Sequence, residues 1–238
     1  MRKSKSQQTF INKIKELCNK WIAVDPNITI KNGEGKPINV ESDGFAGEYI
    51  EALLGYKRNN SKYSDTKDFE LKTSTSRVKT GSVTLFSVNP YDLPVSELLN
   101  KFGIDEKLTC ILNDTNKYGL SYKLNGNNKY IDVTHNGVNV SKFFINTILN
   151  TAIKKLDNLI LIKYEFSQNK THIRFNEIFV FYSFDGRKFI DDMRQKKNIK
   201  ISLRANKTKT GKVRDRGTKF HMSSKNLPEY YNDYEIIN

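Results

Sequence analysis

Two long apolar runs in the second half of the sequence constrain the fold more than any other feature. Residues 159–166 and 173–184 are rich in Ile, Leu, Phe and Tyr, and a polar segment separates them. Aromatic and β-branched residues favour strands, and apolar runs of this length are typical of strands inside a sheet. The two runs therefore predict central strands around which the other elements pack.

The spacing of apolar residues elsewhere predicts a mixture of helices and strands. Helical spacing predicts helices over residues 7–22, 44–54, 94–102, 141–155 and 186–194. Alternation and turn residues predict strands over residues 28–30, 68–73, 83–86, within 108–133, over 199–203 and near residue 220. The basic stretch 204–216 is interpreted as a loop. The expected fold class is mixed α+β.

Charge indicates the class of partner. The chain has 40 Lys and Arg against 26 Asp and Glu, a net charge of +14, and such an excess favours a polyanionic partner. A Lys-rich composition also arises in AT-rich genomes, so charge alone does not separate a nuclease from a ribosomal or histone-like binder. No membrane span or signal peptide is predicted. We therefore expect a cytoplasmic protein in which Cys18 and Cys110 are reduced, buried thiols.

The segment 65–72 has the residue types that phosphodiester hydrolysis requires. A strand puts Glu70 and Lys72 on one face, with Cβ atoms about 6–7 Å apart. Asp65, in the preceding turn, could share a metal ion with Glu70, and the carbonyl of Leu71 could be a further ligand. Glu51, on the preceding helix, is a fourth candidate. One or two carboxylates suffice for Mg²⁺, and a lysine commonly orients the attacking water.

This spacing has a simpler explanation as well. Glu70 and Lys72 could form an ion pair on a solvated strand face, which would contribute little. The Glu34-Gly35-Lys36 segment has the same pattern within a glycine-rich loop. Spacing alone therefore favours the ion pair over a catalytic site. The sequence around the motif is needed to distinguish the two.

The context resembles a known family. Residues 44–51 (GFAGEYIE), followed by 65–73 (DTKDFELKT), resemble the signature of MutH-like endonucleases, and are most similar to the MvaI and BcnI type of restriction enzyme. Residues 83–86 with Pro90 resemble the strand that follows the catalytic lysine in those enzymes. Residues 214–220 (RDRGTKF) resemble their Asp-(His or Arg)-Gly recognition segment.

This resemblance implies a fold, a site and a cofactor. The fold would be the PD-(D/E)xK restriction-endonuclease-like core, a mixed sheet flanked by helices, with a second lobe clasping DNA. Asp65, Glu70 and Lys72 would be catalytic, with Glu51 as the helix-borne acid and Mg²⁺ as cofactor. Residues 1–238 would form one endonuclease chain. Its catalytic lobe would comprise approximately residues 1–100 plus part of the centre, and its recognition lobe would lie mainly within residues 104–238.

The resemblance also implies how the enzyme works. Enzymes of this type act as monomers on double-stranded DNA, cut the strands in succession, and leave 5′-phosphate and 3′-hydroxyl ends. A cognate DNA methyltransferase is expected to protect the same site.

Basic residues near the end of the chain are candidates for DNA binding. They are Arg204, Lys207, Lys209, Lys212, Arg214, Arg216 and Lys219. We interpret Arg214 and Arg216 as base-reading residues, because a guanidinium matches guanine bidentately, and the lysines as phosphate contacts. Asp215 would hold an arginine in position. Arg77 and Lys79 are expected to contact phosphates beside the centre. Ser87, at a position where relatives differ, is a further candidate for DNA contact. The alternative is a solvated basic loop that binds phosphates without specificity.

Three functions remain open from the sequence. The leading hypothesis is a type II restriction endonuclease. The second is a strand-nicking endonuclease of mismatch repair, and the third is a noncatalytic basic DNA-binding protein with a degenerate nuclease core.

Overall fold

The computed structural model describes residues 3–25, 28, 30, 37, 39–42, 44–56, 66, 68–75, 81–126 and 128–238. Its α-helices are α1 Lys5–Leu17, α2 Phe45–Leu53, α3 Val95–Phe102, α4 Ile145–Leu156 and α5 Gly186–Arg194. Its strands are β1 Trp21–Ala23, β2 Glu70–Thr75, β3 Ser82–Ser87, β4 Lys107–Ile111, β5 Leu120–Leu124, β6 Tyr130–His135, β7 Val138–Phe144, β8 Asn158–Phe166, β9 His172–Phe184, β10 Lys200–Lys207, β11 Val213–Ser223 and β12 Tyr231–Ile237. A 3₁₀-helix spans Ser224–Tyr230. None of the described helices has the length and apolarity to cross a membrane.

The chain folds into two compact units. The first contains residues 1–83, 154–184 and 227–238, and the second contains residues 84–153 and 185–226. Each unit therefore draws on segments that are far apart in the sequence.

The first unit is built on the two apolar runs, which form β8 and β9. The strands lie in the order β1-β9-β8-β2, and β12 also pairs with β9. β2 runs parallel to β8, with Glu70 opposite Leu159, whereas β9 is antiparallel to β8. β1 and β12 pair with different parts of β9. The predicted central strands are confirmed.

One face of this sheet forms the core with α1 and α2. Phe69 and Leu71 point into it, and Phe69 stacks on Phe10 of α1 with ring centroids 5.8 Å apart. A Cβ added at Gly47 of α2 would lie 3.4 Å from the Thr73 hydroxyl, so this helix lies close to β2. The period of two along a strand puts Glu70 and Lys72 on the opposite face.

The second unit contains two sheets. Four strands lie in the order β3-β11-β10-β4, and three in the order β5-β6-β7. The Phe220 ring of β11 stacks on Phe86 of β3 at 5.0 Å and meets Phe143 of β7 edge-on at 5.8 Å. The contact between Phe220 and Phe143 joins the two sheets.

Two predicted helices have other boundaries in the structure, and one predicted strand is absent at its described residues. The first helix ends at Leu17 rather than residue 22, because the Asn19 N–H donates to the Phe175 carbonyl and the chain continues as the edge strand β1. The predicted helix 141–155 begins at Ile145, since the residues before it pair with β6 as part of β7. Ile28 and Ile30 are not in a strand, and residue 29 lies outside the described residues.

The basic stretch 204–216 is a hairpin rather than a loop. β10 continues to Lys207 and β11 begins at Val213, so only residues 208–212 connect them. Pairing with a neighbouring strand satisfies the backbone of this polar segment, which local composition does not reveal.

The two cysteines match the expectation from the sequence. Cys18 and Cys110 are free and buried. Burial raises the pKa of the Cys110 thiol to about 11, so this thiol stays protonated at neutral pH.

Candidate active site and nucleic-acid interface

A tight turn leads into the strand that carries Glu70. The Thr66 hydroxyl accepts a hydrogen bond from the Phe69 N–H at 2.8 Å and donates one to the Phe69 carbonyl at 2.9 Å. Thr66 is itself buried. The turn therefore fixes where β2 starts, and with it the direction of the Glu70 side chain.

Glu70 is a fully buried carboxylate with two lysines on the same oxygen. Its side chain is 0% exposed. The ammonium of Lys72 pairs with Glu70 Oε1, and the Nζ atom of Lys155 lies 3.3 Å from the same oxygen. A carboxylate removed from water is stable only when nearby charges or hydrogen bonds compensate it. This geometry excludes the solvated strand face that spacing alone favoured.

Lys155 reaches Glu70 because of the strand order. It lies near the end of α4, which leads directly into β8, and Leu159 of β8 is the register partner of Glu70. Sequence reasoning missed this residue. The available signal was a Lys154-Lys155 pair at the end of a predicted helix, immediately before a buried strand.

Tyr231 adds a buried phenol on the same side of the sheet. Its ring lies 4.9 Å from the Phe181 ring, and Phe181 is the register partner of Leu159. Its hydroxyl is buried and has no hydrogen-bond partner among the described residues. Burial, together with the negative charges of Glu70 and Asp157, raises the pKa of Tyr231 well above its usual value. This side chain is therefore a neutral phenol at physiological pH.

The recognition hairpin, defined as residues 204–219 of β10 and β11, carries the second cluster of candidates. Lys207 pairs with Val213, Asn206 with Arg214 and Ala205 with Asp215. At its tip the Thr208 N–H donates to the Lys212 carbonyl at 2.9 Å. The exposed members of the cluster are Lys209, Lys212, Arg214, Asp215 and Arg216, whereas Arg204, Lys207 and Lys219 are half-buried.

The segment after Arg216 is held by two side chains. The Asp215 carboxylate accepts a hydrogen bond from the Gly217 N–H at 2.6 Å. The Asn89 side-chain carbonyl accepts one from the Thr218 N–H at 3.3 Å. Gly217 has a φ of +71°, which favours glycine. The backbone around Arg216 is thus held in a defined conformation.

Ser87 and His221 lie in the same four-stranded sheet. Ser87 ends β3, which lies beside β11, and it is exposed. His221 is on β11. Burial lowers its pKa, and the cations of Lys200, Lys219 and Arg204 lower it further. This histidine is therefore neutral at physiological pH.

Comparison with known proteins now identifies the family. Residues 11–231 match the family model described as the MvaI/BcnI restriction endonuclease family. The chain belongs to this family. Membership confirms the expectation of a site-specific type II nuclease. No curated protein matches the chain in sequence.

Solved structures of a restriction enzyme share the fold. The chain is similar to MvaI in complex with its cognate DNA substrate, with 19% identity, a TM-score of 0.78 and 100% coverage of both chains. It is also similar to MvaI in the absence of DNA, with 17% identity, a TM-score of 0.53 and the same coverage. The mixed α+β restriction-endonuclease fold is confirmed.

The structure does not describe every site residue that was predicted from the sequence. Asp65, Arg77 and Lys79 lie outside the described residues. Glu51 is half-buried on α2, the helix that lies close to β2 at Gly47. Its catalytic role and that of Asp65 stay predictions.

The described residues fit a divalent cation in part. They contain no group of three His, Cys, Asp or Glu side chains close enough to hold a metal. They do provide the buried Glu70 carboxylate and the neighbouring Leu71 carbonyl, and hard oxygen donors are what Mg²⁺ prefers. Because Mg²⁺ keeps several waters, one or two carboxylates are sufficient, and Asp65 is the candidate for the second.

Proposed function

We propose that this MvaI/BcnI-family enzyme hydrolyses double-stranded DNA at a short specific sequence. It would use Mg²⁺, act as a monomer, leave 5′-phosphate and 3′-hydroxyl ends, and be paired with a methyltransferase that protects the same site. The observation that carries the proposal is the fully buried Glu70 with two lysines on Oε1. Buried charge of this kind is typical of a reaction centre rather than of a surface ion pair.

Each residue has a distinct role in the proposed mechanism. Asp65, Glu70 and the Leu71 carbonyl would hold the cation. When bound, Mg²⁺ neutralises a phosphate oxygen and lowers the pKa of a water. Lys72, which is 21% exposed and therefore reaches solvent, orients the attacking water and stabilises the developing negative charge. Lys155, which pairs with the same Glu70 oxygen, helps to hold this carboxylate in its ionised form.

The recognition hairpin would select the sequence. Arg214 and Arg216 are exposed and lie next to a segment that Asp215 and Asn89 hold in place. A guanidinium on a rigid support can form two hydrogen bonds to one guanine. The lysines of the hairpin would contact phosphates, which positions the duplex without reading it.

The first experiment is digestion of unmethylated phage DNA. The purified protein is incubated with the DNA in Mg²⁺ or in EDTA, and the fragment ends are sequenced. Discrete fragments that share one short sequence and require Mg²⁺ would support the proposal. Nicked circles alone would favour a mismatch-repair nickase. Uncut DNA that shifts on a gel would favour a noncatalytic binder.

Variants test the assigned residues. Glu70→Ala and Lys72→Ala should lower the cleavage rate by on the order of 10³-fold or more, with DNA binding retained. Lys163→Ala is the matched control, because Lys163 is on the neighbouring strand β8 and pairs with Glu177 at 2.7 Å. Full Mg²⁺-dependent cleavage by both Glu70→Ala and Lys72→Ala would disprove the assignment.

A further inference from the structure

The loop between β3 and α3 presents an aromatic side chain that the proposed mechanism does not use. Tyr91 is 68% exposed in this loop, residues 88–94. When a binding partner covers an exposed aromatic ring, a large apolar area leaves water, which favours binding. Its surroundings decide which partner fits.

The backbone of this loop is fixed on both sides. The Asn89 side chain accepts from the Thr218 N–H of β11 at 3.3 Å. The Tyr91 N–H donates to the Lys142 carbonyl of β7 at 2.7 Å, and the Leu93 N–H donates to the Ser141 hydroxyl at 3.0 Å. The loop therefore runs between β11 and β7 and holds Tyr91 in one position.

Tyr91 belongs to a cluster of aromatic rings around one lysine, which we name the Tyr91 surface: Tyr91, Tyr130, Lys142 and Phe144. The Tyr91 ring meets Phe144 edge-on at 4.7 Å. The Lys142 Nζ atom lies 5.9 Å from the centroid of Tyr91 and 5.2 Å from that of Tyr130. It also pairs with Asp92 at 3.1 Å. An exposed ring beside a cation matches the apolar sugar edges and the phosphates of a DNA duplex.

This surface is continuous with the recognition hairpin. Asn89, two residues before Tyr91, binds Thr218, and its Oδ1 atom would lie 3.4 Å from a Cβ added at Gly217. Gly217 directly follows Arg216, a proposed base-reading residue. A duplex whose bases contact Arg216 therefore passes close to the loop that carries Tyr91.

We propose that the Tyr91 surface is a second DNA contact, in which the Tyr91 ring packs against the deoxyribose of a nucleotide at the recognition site and Lys142 faces a phosphate. This inference rests on the proposed function. The ring adds contact area at little cost in conformational entropy, because its backbone is already held. Tyr91 is thus a residue that positions the duplex and does not touch the reacting atoms.

The test measures binding to sonicated unmethylated phage DNA in EDTA, for the wild type and for Tyr91→Ala, Tyr91→Phe and Lys142→Ala. Tyr91→Ala should bind about 2- to 10-fold more weakly, whereas Tyr91→Phe should keep most of the affinity, because ring packing rather than the hydroxyl makes the contact. The slope of log affinity against log salt should stay unchanged in Tyr91→Ala and fall by about one in Lys142→Ala.

A matched control separates a local contact from loss of exposed apolar surface. Val138 is also 68% exposed in the second unit, and Val138→Ala should bind as the wild type does. Melting temperatures of all variants verify that they are folded.

Each outcome decides between explanations. Wild-type affinity in a folded Tyr91→Ala variant would overturn this inference while leaving the proposed function intact. Absence of DNA binding by the wild type would overturn both. Unchanged DNA binding with a changed sedimentation coefficient in Tyr91→Ala would assign the surface to a second copy of the chain instead.

Discussion

The two units of this enzyme hold charge in opposite ways. The first unit concentrates it on Glu70, a buried carboxylate whose partners Lys72 and Lys155 are 21% and 20% exposed. The second unit carries seven cations along the recognition hairpin, and four of them are exposed. One region is a compact, buried cluster of opposite charges, and the other is an open surface on which cations predominate.

This difference in burial determines how each region responds to substitutions. A buried charge interacts strongly with its neighbours, because little solvent screens it, so removing one group changes the whole cluster. Exposed cations are screened, and each contributes a small, salt-dependent part of DNA affinity. We therefore expect large, coupled effects in the first unit and graded, additive effects in the second.

The largest expected effect tests the buried cluster. Lys72→Met combined with Lys155→Met should lower the free energy of unfolding by about 3–5 kcal/mol, because Glu70 then lacks two cationic partners in a buried site. Adding Glu70→Gln should restore most of the loss. Urea denaturation measures both variants. Equal stability of the double and triple variants would show that the cluster is not coupled by charge.

The second prediction separates base reading from phosphate contact in the hairpin. Arg216→Ala should weaken binding to the cleaved site by about 1–3 kcal/mol and leave binding to other sequences nearly unchanged. Lys212→Ala should weaken both equally and lower the salt slope by about one. Titrations at several salt concentrations provide the comparison. If Arg216→Ala behaved as Lys212→Ala does, Arg216 would be a phosphate contact.

The third prediction compares two glycines of the hairpin. Gly217 and Gly211 have φ of +71° and +77°, so alanine at either should lower the free energy of unfolding by about 1–2 kcal/mol. Only Gly217→Ala should also reduce sequence specificity, because it lies beside Asn89 and directly after Arg216, whereas a Cβ at Gly211 meets open space. Equal specificity in both variants would mean that the backbone at Gly217 does not position Arg216.

The smallest expected effect concerns His221. Its pKa is lowered in the folded protein by burial and by the nearby cations. At pH values above the ordinary pKa of about 6.5, His221 is neutral in both the folded and the unfolded state, and protonation does not reduce the free energy of unfolding. As pH falls below that value, the unfolded chain takes up the proton first, so the free energy of unfolding decreases. His221→Gln should lose less stability on acidification than the wild type, as measured by urea denaturation above and below about pH 6.5.

Part of the candidate site was predictable from the sequence. Alternation in residues 68–73 correctly put Phe69 and Leu71 in the core and Glu70 with Lys72 on the other face. Lys155 was missed because it is 85 residues from Glu70 in the chain. The stretch 204–216 was predicted as a loop because its charged composition does not indicate a strand. Its strands form because β10 and β11 pair with each other, which the local sequence does not reveal.

The sequence by itself determined the local geometry of this protein. The period of a strand is a property of the backbone, so Glu70 and Lys72 had to share a face once β2 formed. Only the tertiary structure decided that β2 lies parallel to β8, which brings Lys155 to Glu70, and that Asn89 meets Thr218 beside Arg216. Such contacts depend on which apolar faces are buried together across long stretches of chain, and no local pattern of residues contains that information.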